Sequence, residues 1–250
     1  MLGFEVVMVQ FGWAPAGGAA LALTVAAATV HGQPCRAESG AQVPVVVELY
    51  TSEGCSSCPP ADRWLSTLKD KPGVLAAAFH VDYWDGLGWK DRFASPRYSE
   101  RQAQLQAASG ARFSYTPQVR VNGADWRRWP QLPQPLPVSP AQVSLQRDGD
   151  QVDLKVQPLG AVASRWALWW AAVEDGHDSD VKAGENGGVR LHHDHVVRVY
   201  GGLAPWRGEL AQRIAVPARG EDGRPLRLIA VVTDADSGAT VQALQLRCAP

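Results

Sequence analysis

The sequence predicts an α/β N-terminal domain with the element order β-α-β-α-β-β, followed by an all-β, sandwich-like C-terminal domain. In the first part of the chain, short apolar runs alternate with amphipathic segments, which is the pattern of strands and helices in turn. A segment with five prolines follows, and after it come short β-branched runs separated by turn residues. We therefore predict an α/β domain over residues 41–129, a stiff Pro-rich linker over 130–140 and a sandwich-like domain over 141–250.

The elements of the first domain follow from local signals. Pro59 and Pro60 fit the first turn of a helix, where a missing N–H costs little. Ser95 before Pro96 has the form of an N-cap and first helical residue. The predicted elements are a strand over 43–51, a helix from Pro59 to the stop at Lys71-Pro72-Gly73, a strand over 74–81, a helix from Pro96 to about Ser109, and a strand over 118–121 with a hairpin partner after Asn122-Gly123.

The second domain is predicted from strands alone. Asp148-Gly149 is a strong hairpin signal between two alternating runs, and Asp236-Ser237-Gly238 is a turn before the last strand. Antiparallel strands at this spacing are typical of a sandwich. The predicted strands cover 143–146, 152–156, 165–174, 195–200, 209–216, 226–233 and 241–246.

The composition indicates which kinds of partner and which cellular location we expect for this protein. The formal net charge is −1, with 24 Lys and Arg against 25 Asp and Glu, and no basic tract indicates nucleic acid as a partner. Residues 16–30 are small and apolar, which predicts the core of a signal peptide over 1–34 with cleavage near Ala28 or Gly32. The alternative is a membrane anchor, but the run is shorter than the roughly 20 residues that a span needs. We expect an exported protein, periplasmic or secreted, with no stable membrane span after processing.

The four cysteines are Cys35, Cys55, Cys58 and Cys248. An even number of cysteines in an exported protein permits disulfides. One hypothesis is a Cys35–Cys248 bridge that ties the two ends of the processed chain together. The second pair, Cys55–Cys58, can close a small disulfide ring.

The Cys-x-x-Cys sequence at Cys55 and Cys58 is the most specific chemical signal in the chain. It lies between a predicted strand and a predicted helix, and the N-terminus of a helix favours a thiolate. Cys55 is therefore the candidate nucleophile of thiol–disulfide exchange, and Cys58 the candidate resolving cysteine. The alternative is a permanent, inert disulfide. A zinc knuckle would need a second ligand pair of similar spacing, which this domain lacks.

The order of elements around these cysteines resembles the thioredoxin fold. In that family a proline with a cis peptide bond lies beside the active-site sulfurs, and Thr116-Pro117 matches it in position. The resemblance implies that Thr116 and Pro117 offer backbone to an extended substrate. Two features depart from the family: its buried acid falls at Leu49 here, and its last helix is replaced by the Pro-rich segment.

Several sequence segments are also similar to those of a bacterial family of secreted thioredoxin-like proteins, catalogued as domain of unknown function 1223. The resemblance is strong over residues 43–129 and extends to Gly184-Glu185-Asn186 and to residues 194–198. It implies the fold and an exported location, and it implies no established reaction. The segments that carry it are Glu-Leu-Tyr-Thr-Ser-Glu-Gly-Cys-Ser-Ser-Cys-Pro-Pro-Ala-Asp, Phe-His-Val-Asp-Tyr-Trp-Asp, Gly-Trp-Lys-Asp-Arg-Phe-Ala-Ser-Pro and Tyr-Thr-Pro-Gln.

An aromatic and acidic loop over residues 82–93 is a candidate wall of the substrate site. We predict that Asp82 and Trp84 contact the substrate; the alternative is a packed loop whose acids cap backbone amides. His193 and His195 would share one face of a strand, and we expect that face to be solvated. No metal ligand and no cofactor is assigned.

The predicted function is that of an exported protein that exchanges disulfides with protein thiols or disulfides through Cys55 and Cys58. One alternative is a redox-inactive binding or adaptor module in which Cys55–Cys58 is structural. A second alternative is copper or zinc carriage by the two cysteines, with or without His80 as a third ligand.

Overall fold

A computed structural model describes residues 35–135, 138–161 and 164–248. Its described part contains fourteen strands and two α-helices. The predicted signal peptide over 1–34 lies outside the described residues, so the exported location stays a prediction. Within the described ranges, no helix has the length and apolar character needed to cross a membrane.

The elements have the following bounds. The strands are β1 Cys35–Glu38, β2 Val45–Thr51, β3 Val74–His80, β4 Gln118–Val121, β5 Ala124–Asp125, β6 Ala141–Asp148, β7 Gln151–Pro158, β8 Trp166–Glu174, β9 His177–Asp180, β10 Arg190–His193, β11 Val196–Trp206, β12 Leu210–Ala215, β13 Arg227–Asp234 and β14 Thr240–Leu246. The helices are α1 Pro59–Ser66 and α2 Pro96–Ala108, with a 3₁₀ turn at Asp85–Leu87.

Three sheets organise the described chain. The largest has eight strands in the order β14-β13-β8-β11-β3-β2-β4-β5, and the second has four in the order β1-β6-β7-β12. The third is the β9–β10 hairpin, which pairs His177 with His193. Within the large sheet, β2 and β3 are parallel, with Val45 opposite Val74 and Thr51 opposite His80. The carboxyl ends of β2 and β3 therefore meet at one edge, where the cysteines follow.

The predicted fold class is wrong. A thioredoxin-like α/β domain and a separate sandwich would each have a sheet of their own, but β3 takes β11 as a parallel neighbour, with Val196 opposite Ala78. Strands from both predicted domains thus share the eight-stranded sheet, and the described chain is mostly β. Local periodicity predicts that a strand exists; it does not predict which distant strand will pair with it.

The described residues form one compact unit. The boundaries at 41–129, 130–140 and 141–250 therefore stay predictions about segments of the chain. Most individual strands and both helices begin within a few residues of their expected positions. Three strands were not expected from the sequence: β1, β9 and β10.

The two helices lie against opposite faces of β2. On one face, Leu49 is fully buried in the apolar cluster that contains Ala61 and Leu65 of α1. On the other face, the buried Arg101 of α2 donates to Glu48 Oε2 over 2.5 Å and also to the Tyr50 hydroxyl. This alternation follows from the two-residue period of a strand, and it fixes α1, and with it the cysteine turn, on the sheet.

Candidate functional site

The Cys55–Cys58 disulfide lies in the turn between β2 and α1. Cys58 is the N-cap of α1, and its carbonyl accepts the Ala61 and Asp62 amides at 2.9 and 3.2 Å. The Cys55 amide donates to the Ser52 carbonyl at 3.1 Å, which closes the turn before the disulfide ring. Both cysteines have 0% exposure. Cys55, the predicted nucleophile, is therefore enclosed in the oxidised protein.

A loop of the β9–β10 hairpin is hydrogen-bonded to the turn that carries the disulfide. We call residues 181–189 the covering loop. The carboxylate of Glu185 accepts the Ser56 amide at 3.0 Å and the Ser56 hydroxyl at 2.7 Å. The side-chain amide of Asn186, itself buried, donates to the Glu53 carbonyl at 2.9 Å and to the Cys55 carbonyl at 3.0 Å. Four side-chain hydrogen bonds therefore hold this loop on the cysteine turn.

Trp84 connects the cysteine turn with Thr116. Its indole N–H donates to Thr116 Oγ1 at 2.9 Å, and its Cβ would lie 3.0 Å from a Cβ added at Gly54. The Thr116-Pro117 peptide bond is cis. The structure thus brings Trp84 and Thr116 together beside the turn that carries Cys55.

Asp82 is directed away from this group. Its carboxylate accepts the Ser99 hydroxyl of α2 at 2.5 Å, and the same hydroxyl accepts the Asp82 amide at 3.0 Å. The Asp82 carboxylate thus binds a side-chain hydroxyl, whereas the capping of backbone amides that the sequence left open for the acids of the loop is found at Asp85, whose Oδ1 accepts the Asp91 amide at 3.2 Å. The predicted contact of Asp82 with a substrate therefore stays a prediction without a supporting contact.

A cluster of buried titratable side chains lies beneath the cysteine turn. We call it the histidine pocket; its members are Glu53, Asp62, His80, Asp91 and His193, all of them at most 6% exposed. His80 Nδ1–H donates to Asp91 Oδ2 at 2.6 Å, and that oxygen also accepts the Glu53 amide at 2.9 Å. Glu53 Oε1 lies 3.5 Å from His193 Nε2.

Burial and the neighbouring charges shift the pKa values of the side chains in the histidine pocket. Burial alone would lower the pKa of His80, but the adjacent Asp91 carboxylate raises it above its ordinary value. Burial would raise the pKa of Asp91, and His80 with two backbone amides holds it below the usual range. Burial also raises the pKa of Asp62, although His193 and His80 oppose this shift.

Asp62 is a buried acid that sequence reasoning missed. The resemblance drawn from the sequence led us to expect the position of a buried acid at Leu49, which is apolar and fully buried. Asp62 lies four residues after Cys58 on α1, and residues at that spacing share one face of a helix. Its Oδ2 accepts the Thr51 hydroxyl at 3.0 Å. The spacing was visible in the sequence, but its burial depends on β10 packing against α1.

The structure contradicts the predicted exposure of the histidines near the end of β10. We predicted a solvated face for His193 and His195, but they are only 2% and 3% exposed. His195 has a φ of 60°, and its amide donates to Asp175 Oδ1 at 2.9 Å. Burial, reinforced by Arg227, lowers the pKa of His195 to about 4. His192, between β9 and solvent, is the exposed one of the three.

A second group of possible metal ligands is Glu174, His177 and Asp222, whose ligand atoms lie within 4.8 Å of one another. Its histidine is already occupied: Nε2–H donates to Glu174 Oε2 at 2.8 Å, and Arg224 donates to Nδ1 at 2.9 Å. Burial and Arg224 lower the pKa of His177 to about 4. The contacts therefore describe an internal ion-pair network with a neutral histidine.

The other disulfide joins Cys35 in β1 to Cys248, just after β14. The two cysteines are 213 residues apart in sequence. They pack against the apolar cluster between the four-stranded sheet and the C-terminal strands of the large sheet. This disulfide therefore joins the first and the last described strands beside that apolar cluster.

Fold and site together define a disulfide-bonded, mostly β protein in which a hairpin loop encloses a Cys-x-x-Cys disulfide. The chain belongs to the family described as "Protein of unknown function (DUF1223)", whose model matches residues 46–233. The matched range includes the covering loop and the histidine pocket. No curated protein matches the chain.

Two solved structures are similar to this chain. One is a crystal structure of a structural-genomics target from Agrobacterium tumefaciens, with 25% identity and a TM-score of 0.62, covering 84% of this chain and 96% of that one. The other is the HBP35 protein of Porphyromonas gingivalis, with 15% identity and a TM-score of 0.55, covering 84% of this chain and 76% of that one. At this identity, the similarity to HBP35 shows a related fold and nothing about function.

Proposed function

We propose that this is an exported protein that exchanges its Cys55–Cys58 disulfide with thiols or disulfides of other proteins. The observation that carries the proposal is the position of the disulfide: it closes a ring of only three residues' separation at the N-terminus of α1. So short a loop constrains the unfolded chain little, so it contributes little stability. The helix N-terminus, in contrast, favours the thiolate that exchange requires.

The proposed thiol–disulfide exchange is a two-electron reaction in which one disulfide bond forms as another breaks. In the reduced protein, the Cys55 thiolate attacks a partner disulfide, forms a mixed disulfide and releases one partner thiolate. The Cys58 thiolate then attacks the Cys55 sulfur, closes the Cys55–Cys58 bond and releases the second partner thiolate. Each released thiolate takes up a proton, and the partner is reduced while this protein is oxidised. The reverse sequence oxidises a partner dithiol.

The covering loop sets the condition for this reaction. Both cysteines are enclosed in the oxidised protein, and we infer that an attacking thiolate reaches the disulfide when the covering loop, bound to the cysteine turn through Glu185 and Asn186, leaves that turn. Around the turn, Trp84, Thr116 and Pro117 form the proposed surface for a partner chain. Tyr83 and Phe113, at 45% and 77% exposure, flank this surface in sequence and supply apolar area.

Complete burial of both sulfurs favours a second candidate function. In it, Cys55–Cys58 is a structural disulfide that holds the turn, and the protein is a redox-inactive binding or adaptor module. The covering loop then acts as a permanent part of the fold. The two candidates differ in whether Cys55 reacts while the protein remains folded.

Trapping of a mixed disulfide distinguishes them. In Cys58→Ser, Cys55 has no resolving partner, and we expect it to form a stable mixed disulfide with glutathione disulfide that intact-mass spectrometry detects. In the matched Cys55→Ser variant, the remaining Cys58 is expected to react at least about tenfold more slowly, since it lies within the helix cap. If both variants stay unmodified while circular dichroism shows them folded, the redox proposal is excluded and the binding module is favoured.

A further inference from the structure

We propose that a cavity at the N-terminus of α2 binds a phosphate group. The cavity has a volume of about 250 Å³ and lies between residues 92–98 and the start of β11. None of the described residues in its wall is acidic. The polar side chains of the wall are three arginines and three hydroxyl-bearing residues: Arg92, Arg97, Arg198, Ser95, Tyr98 and Tyr200. We call this cavity the arginine cavity.

Two of the three arginines form no ion pair with a carboxylate in the part of the chain that the structure describes. Arg92 is exposed; its Cζ lies 4.5 Å from the centroid of the Phe93 ring, and its Nη2 donates to the Asp178 backbone carbonyl at 2.9 Å. Arg97 is also exposed, with its Cζ 5.9 Å from the centroid of the Tyr200 ring. Their positive charges therefore remain available to an anion in the cavity.

The charge of the third arginine, Arg198, is only partly offset. Its Cζ lies 5.2 Å from the centroid of Phe93, the same ring that Arg92 contacts. Its Nε lies 3.4 Å from Glu174 Oε2, an oxygen that already accepts Nε2–H of His177 at 2.8 Å. Glu174 is buried and is not part of the cavity wall. The wall thus keeps an excess of positive charge.

The first turn of α2 adds to this excess. The first amides of a helix have no intrahelical acceptor, and the helix dipole is positive at that end, which favours an anion. Ser95, the N-cap, makes no side-chain cap hydrogen bond, and the first turn contains no acidic residue. Arg97 instead places a cation in this turn, where it opposes the dipole. A bound anion would stabilise both the helix end and this guanidinium.

The pKa values of two neighbouring side chains are consistent with this positive charge. Burial raises the pKa of Tyr98 to about 12, although Arg198 and Arg97 both act to lower it. Burial lowers the pKa of His177 to about 4, and Arg224, Arg198 and Arg92 contribute in the same direction. The guanidinium groups of the arginine cavity therefore act on titratable groups on more than one side of it.

A phosphate group fits this wall in charge and in geometry. It has about two negative charges near neutral pH, and its oxygens match the paired N–H donors of a guanidinium group. Pockets for drug-sized ligands have volumes of roughly 300–1,000 Å³, so a cavity of about 250 Å³ suits a smaller ligand. We therefore expect inorganic phosphate or a small phosphate monoester.

Calorimetric titration of the disulfide-intact protein with inorganic phosphate, and separately with glycerol 3-phosphate, tests the site. Sodium chloride keeps the ionic strength equal in all titrations, because salt screens exposed charges. We expect one phosphate group per chain, bound about ten- to a hundredfold more weakly in Arg97→Gln and in Arg92→Gln, the scale of a lost hydrogen bond to a charged group. Tighter binding of glycerol 3-phosphate would assign the site to a phosphate monoester, and equal or weaker binding would assign it to the free anion.

Arg112→Gln is the matched control. Arg112 is exposed and follows the other end of α2, so this variant loses the same charge away from the arginine cavity. We expect it to bind phosphate as the native protein does. The proposal is overturned if neither probe binds, if Arg97→Gln and Arg92→Gln both keep the native affinity, or if Arg112→Gln weakens binding as much as they do. Mixed-disulfide formation by Cys58→Ser is measured without phosphate, so the redox proposal is tested independently.

Discussion

Replacing Asn186 with alanine is expected to speed the reduction of Cys55–Cys58 by dithiothreitol by about ten- to a hundredfold. The Asn186 amide donates both of its hydrogens to carbonyls of the cysteine turn, at 2.9 and 3.0 Å. Each lost hydrogen bond is worth about 0.5–1.5 kcal/mol, and each 1.4 kcal/mol shifts an equilibrium about tenfold. The variant therefore opens the covering loop more often, and the reductant reaches the disulfide at that frequency.

Timed alkylation and mass spectrometry under native conditions measure this rate. Lys182→Ala is the matched control, because Lys182 is an exposed residue of the same loop and Asn186 remains in place. We expect the control to react at the native rate. Equal rates in Asn186→Ala and the native protein would show that the covering loop does not limit access to the disulfide.

Removing the two disulfides is expected to have unequal effects on stability. The chain-entropy relation gives about 5 kcal/mol for a loop closed across 213 residues and about 2 kcal/mol for one closed across 3. Cys35→Ala/Cys248→Ala should therefore lower the free energy of unfolding by more than Cys55→Ala/Cys58→Ala does. Alanine is chosen because serine would bury a hydroxyl at Cys55 and Cys58, which are fully enclosed.

Urea unfolding of both double variants at neutral pH gives the comparison directly. The expected order supports the view that Cys35–Cys248 stabilises the fold while Cys55–Cys58 serves a chemical role. A larger loss in Cys55→Ala/Cys58→Ala would instead make the short disulfide a structural element and would favour the binding-module candidate.

Local signals predicted the elements that hold the cysteines. The Ser95-Pro96 pair marks the start of α2, the prolines after Cys58 mark α1, and β4 has the bounds that its residue pattern indicated. These features depend on a few neighbouring residues, whose capping and backbone preferences act over one turn or one strand. The Cys-x-x-Cys position between a strand and a helix was predictable for the same reason.

Long-range pairing was not predictable from these signals. The pairing of β3 with β11 joins residues more than 100 positions apart, and it turns two expected domains into one sheet. The β9–β10 hairpin was missed because its residues, such as Asp178 and His192, are polar and lack strand periodicity. That hairpin brings Asn186 over the disulfide and His193 into the pocket, so the enclosure of the site was missed with it.

A titration of the folded protein in glutathione buffers of graded potential tests the central claim most directly. Thiols are alkylated at each potential and assigned by peptide mass. Cys55–Cys58 is expected to open at a midpoint above about −300 mV, the region of labile disulfides, while Cys35–Cys248 remains closed and the protein folded. If Cys55–Cys58 remains oxidised until the chain unfolds, the disulfide is structural and the proposed exchange does not occur.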